Sequence, residues 1–444
     1  MDLHQQADAF IRIALRFADS YIRYGLDPYG NTPLVSNAID PKIGSPVAYD
    51  SDYVRLNAIL SNPASQFNWL RLLRGLTVMT GEPGYRELAV DTIRFMFRRQ
   101  ADANGLLYWG GHNAFLLEEG KSAYQIKQTT VHELKMHYPD YAFMWEVDPQ
   151  ATKRYIESMW NAHVLNWEIL DFNRHGRYNL PLGPVWNHAY KGGDVFFWGE
   201  GRTFVNAGSD LYYAAAMLAH LAQEEAPLVW SERLAHRYVE TRQEGIGISG
   251  YQFSQKTFAR DSEPYRLEED RAYSQLAHLL PGHQPVFEGM IFKPRPSVQR
   301  CQLVLGELLQ ARGSKFRQWA REEITAWGKR AYRKADNCFI PMLTNGYSLE
   351  GLMLDRDGYF GKKGTVWKAI PATADFFWLY AMAYRLTGDD YFWQMARDIW
   401  LGLGMGDIGG RGQPSCDLIL DGGEAGEDVR GVYGLLELYR ATGQ

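Results

Sequence analysis

Apolar residues recur every three or four positions through most of this chain, which is the spacing of amphipathic helices. Strand-like stretches are short, as in Val195-Phe196-Phe197-Trp198. Helices are predicted over residues 3–25, 64–80, 84–101, 149–166, 209–225, 228–243, 298–311, 315–335, 373–387, 391–402 and 427–442. The pattern therefore predicts an all-α protein.

A short helix-stop sequence is repeated along the chain. Thr80-Gly81-Glu82 is followed by Tyr85, Thr387-Gly388-Asp389 is followed by Tyr391, and Thr442-Gly443 stands near the end. Glycine suits the left-handed residue that ends a helix, and an acidic residue suits the start of the next one. Repeated hairpins of this kind predict an α/α toroid (barrel) of about six or seven helical hairpins, with residues 1–444 as a single domain.

Five less regular stretches separate the helical stripes. They cover residues 26–61, 105–139, 172–208, 244–297 and 337–372. Long ordered loops in a compact domain are commonly functional. In a toroid we expect them to gather at one end and to form a cleft.

Composition narrows the class of protein. Hydrophobic residues make up 46% of the chain, charged residues 22%, and the net charge is −5 without a basic run, so nucleic acid is not an expected partner. Cys301, Cys338 and Cys416 are far apart, which argues against a disulfide framework or a zinc knuckle. No basic and apolar leader and no apolar stretch of about 18 residues is present. These features predict a cytoplasmic protein with no membrane partner, although a processed secreted form would look the same.

Histidines are concentrated in one part of the chain. Six of the eleven lie between His112 and His188. Two imidazoles and a carboxylate with open positions suit a divalent transition metal, and His112, Glu133 and His175 are the predicted ligands. Manganese, nickel, cobalt, iron and zinc all suit such a ligand set, with manganese taken as the first candidate, and calcium is disfavoured because it prefers oxygen ligands.

The other histidines of this region compete for the same role. His132 and His137 are rival ligands, whereas His163, His220 and His236 are interpreted as structural. Glu133 is expected at the start of a short helix. His112 follows a Gly-Gly turn that lets the backbone bend tightly.

The order of His112, Glu133, Arg174 and His175 resembles that of the metal-dependent pectate lyases of polysaccharide lyase family 2. The resemblance is carried by roughly residues 105–210. It implies a helical toroid that cleaves pectate, or oligogalacturonides, by metal-assisted β-elimination. It also implies that Arg174 is the catalytic base. Because a guanidinium is almost always protonated, Arg174 as a clamp for a substrate carboxylate stays open as the alternative.

An acidic polysaccharide or oligosaccharide would need further contacts. Arg177, Lys191 and Arg202 are candidate cations for neighbouring uronates, and ordinary solvated or ion-paired side chains are the alternative for each. Trp109 is a candidate substrate contact because aromatic rings stack on sugars, and aromatic residues make up 14% of the chain.

Two other functions compete with a lyase. A hydrolase of unsaturated uronides or another glycan would use a pair of carboxylates, for which the candidates are Asp140, Asp171 and Asp210. A non-catalytic carbohydrate-binding protein would use only the aromatic cleft. Elimination leaves a double bond conjugated to a carboxylate, so ultraviolet absorbance distinguishes the lyase from both.

Overall fold

The structure is a computed structural model, and it describes residues 3–50, 54, 57–256, 270–410 and 429–443. Cys416 and the first two residues of the helix predicted over 427–442 lie outside the described residues. The fold is predominantly helical, with 51% of the chain in helices and little sheet. The prediction of an all-α class is therefore confirmed.

The described residues contain fourteen α-helices. They are α1 (Leu3–Gly25), α2 (Phe67–Thr80), α3 (Pro83–Arg99), α4 (Ala123–Lys127), α5 (Tyr141–Val147), α6 (Pro149–His163), α7 (Val205–Ala222), α8 (Ala226–Val239), α9 (Arg271–Leu276), α10 (Pro296–Leu308), α11 (Ser314–Ala326), α12 (Ala374–Thr387), α13 (Asp390–Gly402) and α14 (Val429–Thr442). All eleven helices that the apolar spacing predicts are present. The three missed helices, α4, α5 and α9, are too short to display two turns of that spacing.

Strands in the described residues are short and lie in the loops. They are β1 (Ile39–Asp40), β2 (Ser45–Pro46), β3 (Ala48–Tyr49), β4 (Ala58–Ser61), β5 (Phe115–Leu116), β6 (Lys121–Ser122), β7 (His132–Glu133), β8 (Val164–Asn166), β9 (Asp171–Phe172), β10 (His175–Gly176), β11 (Phe197–Gly199), β12 (Ser254–Lys256), β13 (Tyr332–Arg333), β14 (Cys338–Phe339) and β15 (Ile370–Pro371). The strand-like stretch at 195–198 corresponds to β11.

The chain divides into two compact units, each made of several segments. The first comprises residues 1–165, 173–188 and 217–227, and the second comprises 166–172, 189–216 and 228–444. The single-domain organisation stays a prediction.

Helical hairpins build both units. In the first unit α2 packs against α3 and α5 against α6. In the second unit α10 packs against α11, and α12 packs against both α13 and α14. The aromatic side chains of Phe376, Phe377 and Trp400 lie in the core of the second unit. The pairing is what the prediction of an α/α fold requires.

The repeated Thr-Gly sequence ends its helices as predicted. Gly81 ends α2 with a φ of 77° and Gly388 ends α12 with a φ of 67°, both in the left-handed region. The preceding threonine acts the same way at both sites: its hydroxyl donates to a carbonyl one turn back at 2.7 Å and accepts from the backbone N–H of the acidic residue at 3.2 Å. The side chains of Glu82 and Asp389 then accept from the first N–H groups of α3 and α13.

Within the described residues, no helix has the length and apolar character needed to cross a membrane.

Candidate metal centre

A two-residue strand pair in the first unit brings the central carboxylate to a histidine. Strand β7 pairs antiparallel with β10, so that Glu133 lies opposite His175 and His132 lies opposite Gly176. The N–H of Leu134 extends the pair by donating to the carbonyl of Arg174 at 3.0 Å. The prediction that Glu133 begins a short helix is wrong, because its backbone pairs with this distant segment.

The Gly-Gly turn seats the second histidine against the same carboxylate. Gly110 has a φ of 105°, and a Cβ there would lie 2.7 Å from the carbonyl oxygen of Glu133. A Cβ on Gly111 would lie 1.6 Å from Oε2 of Glu133. The side chain of Asn62 donates to the carbonyl of Gly110 at 2.8 Å and holds the turn. Both glycines are therefore needed for the close approach of His112 to Glu133.

The three predicted ligands converge. Nε2 of His112 lies 3.3 Å from Oε1 of Glu133, and Nε2 of His175 lies 3.7 Å from the same oxygen. The two imidazole rings meet edge to face with their centroids 4.6 Å apart. One ligand atom from each residue lies within 4.8 Å of the other two. In the part of the chain that the structure describes, no other group of three His, Cys, Asp or Glu residues has this spacing.

Protonation at this cluster suits a cation. Burial alone would raise the pKa of Glu133, but the neighbouring groups of His175, His112, Lys135 and Arg174 outweigh it and lower that pKa. Burial lowers the pKa of His112. Both shifts favour the forms that bind metals, an ionised carboxylate and a neutral imidazole.

One oxygen of Glu133 supplies a test of whether a metal fits. The side chain is only 3% exposed, and its buried Oε2 has no hydrogen-bond partner among the described residues. A buried carboxylate oxygen without a partner is costly unless a cation binds it. The donor set of two imidazoles and one carboxylate thus fits a divalent transition metal.

The rival ligands do not join this cluster. Both ring nitrogens of His132 lie within hydrogen-bond distance of other side chains, those of His163 and Trp109. Burial is the main reason that the pKa of His137 falls to about 4. Neither belongs to the group whose ligand atoms converge.

Arg174 stands at the edge of the cluster with 40% of its side chain exposed. Its Nε–H donates to Nε2 of His175 at 3.1 Å, and Nε lies 3.8 Å from Oε1 of Glu133. The position beside the ligands and open to solvent suits a base or a carboxylate clamp equally well.

Lys135 is a cation that the sequence analysis did not assign. It is exposed and follows Glu133 by two residues, the spacing that puts side chains on one face of an extended segment. Its Nζ lies 3.4 Å from where a Cβ on Gly111 would be. The His-Glu-Leu-Lys sequence contained this signal, because the strand period places Lys135 with the ligand and not with His132.

The remaining residues predicted to bind substrate lie in different units of the chain or are buried. Arg177 is exposed two residues beyond His175 in the first unit. Lys191 and Arg202 belong to the second unit, where Lys191 forms an ion pair with Glu168 at 2.8 Å. The prediction that Trp109 contacts substrate is wrong, because this residue is 1% exposed and packs edge-on against Phe67 and Tyr155.

Asp140 and Asp171, two of the candidate acids of a hydrolase, accept hydrogen bonds from backbone N–H groups. Asp140 begins α5 by accepting from the N–H of Phe143 at 3.2 Å, and it pairs with Arg74 at 2.7 Å. Asp171 is buried and accepts from the backbone N–H groups of Glu200 and Gly201. Asp210 is buried in the second unit.

Comparison with known proteins decides the family. The profile of the family described as periplasmic pectate lyase matches residues 32–444. The chain belongs to this family. It is 33% identical over 401 residues to a pectate disaccharide-lyase of Dickeya dadantii (strain 3937), a match that covers 87% of this chain and 73% of the relative. The prediction of a polysaccharide lyase is confirmed.

Solved structures resemble this lyase more remotely. A cellobiose 2-epimerase from Spirochaeta thermophila DSM 6192 is 13% identical, with 98% of each chain covered and a TM-score of 0.46. A sugar epimerase from a ruminal bacterium is 12% identical, with 88% of this chain and 86% of that chain covered and a TM-score of 0.48. Identities this low say nothing about the reaction.

The family corrects one prediction. Because its members are described as periplasmic, the prediction of a cytoplasmic lyase is wrong.

Proposed function

We propose that this lyase cleaves α-1,4-linked galacturonate in pectate or oligogalacturonides by β-elimination. Its similarity to a pectate disaccharide-lyase supports the substrate class. In the reaction a base removes the C5 proton, the C4–O bond breaks, and a C4–C5 double bond forms while the leaving oxygen takes a proton. The C5 proton is only weakly acidic, so negative charge that develops on the adjacent carboxylate must be stabilised.

His112, Glu133 and His175 would hold one divalent transition metal ion, with manganese as the first candidate. The convergence of their ligand atoms within 4.8 Å is the observation that carries the proposal. When bound, such an ion supplies a Lewis acid for the substrate carboxylate.

Arg174 is assigned as the base, with a carboxylate clamp as the alternative role. Its Nε–H donates to Nε2 of His175, one of the candidate ligands. With 40% of its side chain exposed, the guanidinium lies beside the three candidate ligands and is open to substrate. Lys135 and Arg177 would attract the carboxylates of a polyanion.

Ultraviolet absorbance of polygalacturonate digests tests the reaction. We expect absorbance to rise with enzyme, to stop with a chelator, and to return when Mn²⁺ is added back. Hydrolysis without a chromophore would contradict elimination, and full activity in chelator would contradict metal assistance. His112→Ala should bind metal weakly, and His220→Ala, altered near the end of α7, is the matched control.

A further inference from the structure

Three buried side chains and one carbonyl form a continuous row of hydrogen bonds beside the metal centre. Nε1 of Trp109 lies 3.1 Å from Nε2 of His132. Nδ1 of His132 lies 2.8 Å from Nε2 of His163, and Nδ1 of His163 lies 2.7 Å from the carbonyl oxygen of Asn173. The three rings are at most 1% exposed. We call this row the Trp–His–His chain.

The two ends of the Trp–His–His chain determine where its hydrogens lie. A carbonyl only accepts, so Nδ1 of His163 carries a hydrogen and its Nε2 accepts. Nδ1 of His132 must then donate, which leaves its Nε2 as an acceptor. An indole N–H only donates, and Trp109 presents its single hydrogen to this nitrogen and to the hydroxyl of Tyr155, which lies 2.9 Å from Nε1 of Trp109 and 3.5 Å from Nε2 of His132. Both imidazoles are neutral with the hydrogen on Nδ1, and each of their four nitrogens is used.

Both ends and the middle of the Trp–His–His chain adjoin a segment that carries one of the three candidate metal ligands. Trp109 directly precedes the Gly-Gly turn of His112, and His132 directly precedes Glu133. Asn173 accepts from the N–H of His175 through its side chain at 3.1 Å, and its own N–H donates to the carbonyl of His163 at 3.0 Å. The chain therefore connects three loop segments that are far apart in sequence.

Packing also fixes the imidazole of His163. A Cβ on Gly176 would lie 2.5 Å from Nε2 of His163, so the ring rests on the glycine that pairs with His132 in the β7–β10 pair. His163 is the last residue of α6, and it thus anchors the strand pair to a helix. The sequence thus places three groups that form directional hydrogen bonds in a buried region.

We propose that the Trp–His–His chain is the positioning device of the metal centre: it sets the relative placement of the segments that carry His112, Glu133 and His175. This inference rests on the metal proposal made above. His132, His163 and Trp109 act through neighbouring residues and do not touch the ion. Groups that orient metal ligands typically change metal affinity by 10- to 100-fold when they are altered.

Substitutions at His163 separate positioning from mere packing. Leucine removes both hydrogen bonds, asparagine keeps a donor near the position of Nδ1, and glutamine keeps an acceptor near that of Nε2. We expect His163→Leu to raise the Kd for Mn²⁺ by about tenfold or more, and the Asn and Gln variants to recover part of the loss. His220→Leu, altered near the end of α7, is the control.

The measurements use the full chain stripped of metal. Mn²⁺ binding is followed by titration calorimetry, and the free energy of unfolding is measured in chelator on the same variants. Loss of stability with an unchanged Kd for Mn²⁺ in all three variants would overturn the inference, because the Trp–His–His chain would then only fill the core. A wild-type protein that binds no Mn²⁺, Ni²⁺, Co²⁺, Fe²⁺ or Zn²⁺ would overturn the metal proposal first, and this inference with it.

The hydrogen positions are tested without metal or variants. Long-range ¹H–¹⁵N NMR spectra of the metal-free protein should show neutral Nδ1–H tautomers for His132 and His163. An Nε2–H tautomer at either residue would break the chain and refute the inference. Should His163→Leu fail to fold, these spectra and the Asn and Gln variants decide the matter.

Discussion

Gly111→Ala should move the central ligand without removing any functional group. The added Cβ would lie 1.6 Å from Oε2 of Glu133, whereas real Cβ contacts stay beyond 3.0 Å, so the carboxylate must retreat by about 1.4 Å. Metal–ligand distances tolerate only about 0.2 Å. A displacement of about 1 Å in a catalytic constellation can reduce the rate by about a hundredfold.

We therefore expect Gly111→Ala to lose about a hundredfold in kcat/KM on polygalacturonate, measured by the absorbance of the unsaturated product, and to bind Mn²⁺ more weakly. The fold should persist, because the clash falls on the end of a side chain. Gly183→Ala is the matched control, since a Cβ there has nothing within 4 Å. Wild-type rate and Mn²⁺ affinity in Gly111→Ala would refute the geometry of the Gly-Gly turn and Glu133.

Three further predictions concern pH, the base and substrate charge. Burial lowers the pKa of His163 to about 4. Between pH 6.5, its ordinary pKa, and pH 4, this histidine is therefore protonated in the unfolded protein but not in the native protein. The contribution of His163 to the free energy of unfolding, measured in chelator, should thus be complete above pH 6.5 and fall by about 3 kcal/mol towards pH 4. A His163→Asn variant whose stability falls as much as that of the wild type would contradict this. Arg174→Ala should nearly abolish kcat while Arg174→Lys retains some activity with an altered pH profile. A raised KM with near-normal kcat would instead assign Arg174 as a clamp. Activity should decline as methyl esterification of pectin removes substrate carboxylates, and equal turnover of highly methylated pectin would count against the proposed substrate.

The helices could be predicted from the sequence because the residues that form and end each helix are close together along the chain. The apolar spacing lies within each helix, and the Thr-Gly sequence contains both the residue that ends one helix and the residue that begins the next. Gly81 and Gly388 thus adopt the predicted conformation. The convergence of His112, Glu133 and His175 was predicted from residue types and from their order in the resembled family, and their role as metal ligands stays a proposal.

Pairings between distant segments were not predictable from those patterns. Glu133 was expected in a helix because nothing near it indicates that its backbone pairs with residue 175. The role of His163 was equally hidden, since a histidine at the end of a helix stripe resembles any satisfied core histidine. Trp109 was predicted to contact substrate because aromatic rings stack on sugars, and only its burial in the structure shows that the ring faces the core.

The register of β7 and β10 limits how this chain can change length during evolution. Successive residues of a strand point to opposite faces, so a slip of one residue would set Glu133 opposite Gly176 and turn the ligand-bearing face away. Every ligand would still be encoded, yet the centre would be lost. Insertions and deletions should therefore accumulate in the loops between Lys135 and Asn173 and be excluded from the four residues of the strand pair. A gap inside that pair would mark a relative that lacks the proposed metal centre.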